Sequence, residues 1–112
     1  MDTLAFLGEC APAFAVRGCQ VKVLTDPKQF YTELCNRSSS AKHRIVMSAL
    51  YLGTGEQAKN LVQCVEQSLK KSKTRTLFLL DFCRGNRQME GGKSSVSMLR
   101  PLLQDFEVTK VF

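Results

Sequence analysis

The stretch Arg44-Ile-Val-Met-Ser-Ala-Leu-Tyr-Leu-Gly-Thr-Gly55 decides the fold of this chain. Its apolar run stops at two glycines and is followed at once by a helical pattern, which predicts a buried strand, a loop and a helix. A second unit, Arg75-Thr-Leu-Phe-Leu-Leu-Asp-Phe82, follows one helix later and leads into Cys83-Arg-Gly85. The repeated order predicts an α/β fold, in which ligands gather where the strands end.

The remaining elements follow from spacing. Residues 20–25 alternate polar and apolar side chains, which predicts a strand, and Asp26-Pro27 then opens a helix predicted over 28–42. We expect Phe30, Leu34 and Ala41 to face inward on this helix. A further helix is predicted over 56–73 because its apolar residues recur at helical spacing. These residues are Ala58, Leu61, Val62, Val65 and Leu69.

Composition limits the classes of function. The chain has 112 residues, room for one domain at most, and a formal net charge of +6, which favours anionic partners such as phosphates, nucleotides or acidic lipid surfaces. Nucleic acid is not expected, since the aromatic residues fall mostly at core-facing positions. The five cysteines form no C-x-x-C pair and have no histidine nearby, so we expect free thiols and no metal site. A reduced, soluble compartment is expected from the odd cysteine count and from the lack of a secretory signal or a long apolar stretch.

The polar loop after the second strand carries cations that suit a phosphate. Arg84, Arg87 and Lys93 precede a short amphipathic helix through Met98 and Leu99, and we expect them to contact phosphate or substrate. Gly92-Lys93-Ser94 resembles the end of a nucleotide-binding P-loop, but the first glycine of that motif would fall on Arg87.

Other candidate groups have structural explanations. The loop Gly53-Thr-Gly55 offers backbone amides to an anion, although glycine is equally a turn residue. Asp81 is interpreted as a loop anchor or helix cap. His43 is expected at the surface, and no nucleophile and base can be paired by spacing.

Several stretches together resemble the eukaryotic-type phosphatidylglycerophosphate synthase family of the phospholipase D superfamily. They are Gly18 to Thr25, Gln29 to Tyr31, Ala41 to Gly55, Leu79 to Phe82 with Arg84-Gly85, and Met98-Leu99 with Pro101 to Leu103. The resemblance implies a partial phospholipase D-like α/β/α sandwich, namely the first part of the first repeat. Residues 12–112 would form this incomplete repeat, and residues 1–11 an atypical N-terminal segment.

The resemblance also implies a reaction. Family members transfer a phosphatidyl group from CDP-diacylglycerol to glycerol 3-phosphate, releasing CMP, at the mitochondrial inner membrane on the way to cardiolipin. They need no metal and work through a histidine phosphoenzyme. Their H-x-K-x-x-x-x-D motif is absent here, since His43 is followed by Ile45 and Leu50 at the lysine and aspartate positions, so no catalytic residue is carried over.

A nucleotide-binding segment is also described in this family. It matches Ser48, Ala49, Leu50, Tyr51, Leu52, Gly53, Thr54 and Gly55, which makes ATP a predicted ligand. The expected partners are CDP-diacylglycerol and glycerol 3-phosphate in the complete enzyme, the remainder of the chain's own domain, and a membrane surface.

Two other classes of function stay open: a non-catalytic interaction module and a nucleotide- or phosphate-binding α/β domain. If the chain is an N-terminal fragment of the enzyme, we expect it to be inactive alone and to expose apolar surface and an unpaired strand edge.

Overall fold

A computed structural model describes residues 2–105 and 109–111 of the chain. It shows helices and parallel strands in alternation, which confirms the α/β class. In chain order the elements are α1 (Thr3–Cys10), α2 (Pro27–Ser40), β1 (Arg44–Ala49), α3 (Glu56–Ser72), β2 (Arg75–Leu80), α4 (Phe82–Asn86), α5 (Ser95–Asp105) and β3 (Thr109–Val111). Among the described residues, no helix combines the length and the apolar character needed to cross a bilayer.

Within the described residues the sheet has three parallel strands in the order β1-β2-β3. The β1–β2 register runs from Arg44 opposite Arg75 to Ala49 opposite Leu80. Parallel strands need a crossover, and successive right-handed crossovers that advance in one direction place their helices on the same side of the sheet. The connections through α3 and α5 therefore cover one face, and the buried core lies there.

The core is one contiguous cluster between that face and the two helices. Its buried members are Ile45, Val65, Leu69, Phe78, Leu80, Leu99 and Leu102. Side chains alternate across a strand, so the residues between the buried ones point to the opposite face. Phe78 is 2% exposed whereas its neighbour Leu79 is 53% exposed, and Val46 on β1 is also exposed. In the described part of the chain, the second face of the sheet thus carries uncovered apolar side chains.

Helix α3 confirms the helical pattern read from the sequence. Four of its five predicted apolar positions are buried, and Val62 packs at the edge of the core. Glu56 lies in the first turn and Lys70 and Lys71 in the last, which suits the helix dipole. Lys73 ends the helix with a left-handed φ of 48°.

Around α2 the sequence prediction is partly wrong. Asp26 caps the helix by accepting a hydrogen bond from the Lys28 amide at 3.1 Å, as the Asp-Pro pair indicated. Residues 20–25, however, do not form a strand: a 3₁₀ turn (Gly18–Gln20) is followed by unpaired backbone. An alternating pattern cannot become a strand without a neighbour to pair with. Phe30 is exposed, and the buried residues of α2 are Cys35 and Ser38.

The second strand is shorter than predicted. It ends at Leu80, because the Asp81 carboxylate accepts a hydrogen bond from the Arg84 amide at 2.8 Å and starts the short helix α4. The interpretation of Asp81 as a helix cap is thereby confirmed.

Two neighbouring residues test the one-sided core. Phe78→Ala should lower the free energy of unfolding by about 3–5 kcal/mol, because it empties the packed face, whereas Leu79→Ala should change it by less than about 1 kcal/mol. Urea unfolding followed by circular dichroism measures both. Similar losses for the two variants would show that the second face is also packed.

Candidate anion-binding site

The carboxyl ends of β1 and β2 lie at one edge of the sheet, since the strands are parallel. A cavity of about 280 Å³ opens there. It is lined by Tyr51 from the loop after β1 and by Arg84, Arg87, Gln88 and Met89 from the segment after β2. Two guanidinium groups and a phenol on one cavity form a set of hydrogen-bond donors suited to phosphate oxygens.

Helix α4 positions the two arginines. Arg84 belongs to this helix, which Asp81 caps, and Arg87 follows its last residue in extended backbone. Gly85 holds the helix close to β2, because a Cβ on this glycine would lie 3.2 Å from the Leu80 Cβ. Because α4 packs closely against the end of β2, Arg84 and Arg87 lie on the same cavity as Tyr51.

Among the side chains that the structure describes, no carboxylate forms an ion pair with Arg84 or Arg87. A larger cavity of about 410 Å³ at the start of α2 differs in this respect, since its Lys22 is paired with Glu33. That ion pair lowers the pKa of the Glu33 carboxyl, with a smaller contribution from Arg37. The arginine cavity is therefore the better candidate for an anionic ligand.

Lys93 does not line the arginine cavity. Gly91 and Gly92 both have positive φ, 79° and 71°, and turn the chain before it. The Glu56 carboxyl has a lowered pKa chiefly because Lys59 hydrogen-bonds to it, and the positive charge of Lys93 adds to this effect. The structure thus brings together two of the three predicted cations and places the third toward the start of α3.

The segment 48–55 spans the end of β1 and the loop before α3. Ser48 and Ala49 belong to the strand, and Leu50 and Tyr51 are exposed. The amides of Leu52 and Gly53 both donate to the Ser95 Oγ, at 3.0 and 3.3 Å, and Gly53 has a φ of 85°. Two of the amides that could have received an anion are already bonded within the protein.

The sequence analysis missed Ser95. Its fully buried hydroxyl joins the loop after β1, which carries Tyr51, to the first turn of α5. Ser94 and Ser97 cap the same helix, because each amide donates to the hydroxyl of the other residue, at 2.8 and 3.2 Å. The serine run signalled a helix start, but no sequence pattern indicated the long-range bonds of Ser95.

The described lining of this cavity is cationic and includes no histidine, aspartate or glutamate. His43 is exposed, as predicted, and lies before β1, at the opposite end of that strand from the cavity. Within residues 2–105 and 109–111, no cluster of histidine, cysteine or acidic side chains has the arrangement of a metal site. The geometry therefore supports recognition of a phosphate-bearing ligand.

Comparison with known proteins gives no matching family model. In alignments of 102 positions that cover 85% of this chain, the chain is 44% identical to the chicken protein named "CDP-diacylglycerol--glycerol-3-phosphate 3-phosphatidyltransferase, mitochondrial" and 41% identical to the human protein of that name. The yeast protein named as the same transferase is 31% identical over 99 residues. The chain spans about 18% of the length of these relatives.

The Ser95 bridge can be tested by removing one hydroxyl. Ser95→Ala should lower the free energy of unfolding by about 1–3 kcal/mol, because two partly buried amides lose their acceptor. Amide hydrogen exchange measured by NMR should accelerate at Leu52 and Gly53. Ser39→Ala is the matched control, since it removes an exposed hydroxyl that bonds only the Asn36 carbonyl. Unchanged exchange at Leu52 and Gly53 in Ser95→Ala would contradict the bridge.

Proposed function

This chain is homologous to a segment of the CDP-diacylglycerol--glycerol-3-phosphate 3-phosphatidyltransferases, and on that premise we propose that it serves the same reaction. In the complete enzyme a phosphatidyl group passes from CDP-diacylglycerol to glycerol 3-phosphate, giving phosphatidylglycerophosphate and CMP. The observation that carries the proposal is 44% identity over 85% of the chain. The alternative of an interaction module has no comparable support.

The chain contributes the scaffold and a phosphate contact rather than the reacting groups. Both substrates carry phosphate, and the cavity of Arg84, Arg87 and Tyr51 presents donors without a described carboxylate counter-ion. Since the chain contains no H-x-K sequence, the nucleophile and the general acid belong to other parts of the enzyme. Alone, the chain is inactive in this proposal.

The uncovered face of the sheet supports a further partner. Val46 and Leu79 expose apolar surface that an α/β/α arrangement would cover with a second helical layer. We assign this role to the remainder of the same phospholipase D-like domain. The enzyme would work at the mitochondrial inner membrane, in keeping with the mitochondrial designation of the vertebrate relatives.

The transfer itself requires no metal or cofactor in this proposal. An ATP site at segment 48–55 stays a prediction, and it would have to use amides other than those of Leu52 and Gly53, which Ser95 already engages.

A segment exchange tests the function directly. The region of the chicken enzyme that matches this chain is replaced by the corresponding residues of this chain. Incorporation of radiolabelled glycerol 3-phosphate into phosphatidylglycerophosphate, with CDP-diacylglycerol as the donor, is then measured in detergent. We expect the chimera to keep activity within about tenfold of the parent, a loss of no more than about 1.4 kcal/mol in transition-state binding. A folded chimera without activity would contradict the proposal, and the unexchanged enzyme is the control.

The phosphate contact is tested within the same chimera. Arg84→Gln combined with Arg87→Gln should raise the KM for one substrate by about tenfold or more, because charge-assisted hydrogen bonds to phosphate are lost. Lys93→Gln removes a positive charge nearby but outside the cavity, and should change the KM by less than about twofold. Equal effects of the arginine and lysine changes would show a general field effect in place of a site.

A further inference from the structure

Helices α2 and α3 pack side by side and run in the same direction. The Tyr31 hydroxyl donates to the Gln57 carbonyl at 3.0 Å near the start of both helices. Near their ends, the Ser68 hydroxyl donates to the Ala41 carbonyl at 2.7 Å. The start of α2 therefore contacts the start of α3, and the region after the end of α2 contacts the end of α3. Residues in the middle of the two helices consequently face one another.

Two cysteines meet in the middle of this interface. Asn60 of α3 donates to the Tyr31 hydroxyl at 2.8 Å and to the Cys35 Sγ at 3.7 Å. Cys64 lies one helical turn after Asn60, on the same side of α3. Cys35, which Asn60 contacts, and Cys64, one turn from Asn60, therefore lie next to one another across the helix pair. The influence of Cys35 on the pKa of the Cys64 thiol agrees with this placement.

We propose that Cys35 and Cys64 form an oxidation site that closes to a disulfide joining α2 to α3. The proposal stands on their neighbouring positions in the interface of α2 and α3 and is independent of the phosphatidyl-transfer reaction. A disulfide requires the sulfurs to approach to about 2.05 Å, so closure needs the two side chains to rotate toward one another. The other three cysteines, Cys10, Cys19 and Cys83, are exposed on other segments.

The partner reagent is a small-molecule disulfide such as oxidised glutathione. Cys64 is partly exposed whereas Cys35 is 9% exposed, so Cys64 meets the reagent first. The Cys64 thiol loses its proton and attacks the reagent, which forms a mixed disulfide and releases one glutathione thiolate. The Cys35 thiol then loses its proton and attacks the Cys64 sulfur, displacing the second glutathione. The protein gives up two electrons and two protons, and the reagent becomes two thiols.

The environment sets the conditions for this reaction. Burial raises the pKa of the Cys64 thiol, and the neighbouring Cys35 raises it further. Tyr31 is the other titratable group in the cluster, and it also lies on the α2 side. Since thiolate is the attacking species, the exchange should be slow near neutral pH and faster in alkaline buffer.

The experiment uses the full chain with Cys10, Cys19 and Cys83 replaced by serine. The protein is incubated at alkaline pH with oxidised glutathione, acidified and analysed by intact mass and non-reducing tryptic mapping. We expect the loss of two hydrogen atoms, no retained glutathione, and a linkage between the peptides 29–37 and 60–70. The melting temperature should rise on the order of 10 °C and fall again with dithiothreitol, because the bond closes a loop of about 30 residues.

Matched variants separate the two steps. Adding Cys35→Ser should leave one glutathione on Cys64, whereas adding Cys64→Ser should leave the buried Cys35 unmodified. As a control, the unsubstituted chain is oxidised and mapped in the same way. The same linked peptide in that chain would show that the three serine substitutions do not cause the linkage. Two glutathione adducts, two untouched thiols, or a linkage that forms as fast in guanidinium chloride as in buffer would overturn the proposal.

Discussion

Burial of a single face of a short parallel sheet is the constraint on which the rest of this structure depends. Phe78 and Leu80 of β2 meet Leu69 of α3 and Leu99 of α5 in one cluster. Because the strand order is sequential and the crossovers are right-handed, both connecting helices must lie on this face. Parallel sheets usually have helices on both faces, so their strands carry apolar side chains on both faces. The apolar side chains on the opposite face of this sheet follow the same rule. Its exposure in the described part of the chain is therefore a property of the topology and not of a few exceptional residues.

The same topology creates the candidate site. Parallel strands bring their carboxyl ends to one edge, so loops that are distant in sequence become neighbours, and Ser95 bonds to amides more than 40 residues away. A buried hydroxyl that accepts from two partly buried amides is costly to lose, since both amides lose their acceptor within the protein. The loop after β1 and the start of α5 consequently behave as one unit. The arginine-bearing turn rests beside this unit on the tightly packed Gly85.

Sequence reasoning succeeded where local pattern and tertiary environment agree. Helix α3 has a complete apolar stripe and charges suited to its dipole, and its bounds were predicted to within one residue. It failed where the outcome depends on a neighbour. Residues 20–25 alternate polar and apolar side chains like a strand but have no pairing partner in the described structure. Phe30 was expected to face inward from its position on the helix, but in the described structure it is exposed. The grouping of Arg84 and Arg87 without Lys93 depends on two positive-φ glycines, whose turn direction cannot be read from composition.

The two proposed sites use different parts of one helix, and this makes them separable. The loop before α3 lies at the edge of the sheet where the strands end. There, Lys59 and, to a smaller extent, Lys93 lower the pKa of the Glu56 carboxyl. Cys64 lies two turns farther along, in the interface with α2 and next to Cys35. A covalent link there would restrain α2 against α3 while leaving the arginine-bearing turn, which follows β2, free of any new bond. Its effect on the anion site would therefore have to pass through the packing of α3 on the sheet, where Val65 and Leu69 are buried in the core. Stability of the helical layer and phosphate recognition at the sheet edge are thus expected to respond to different chemistry.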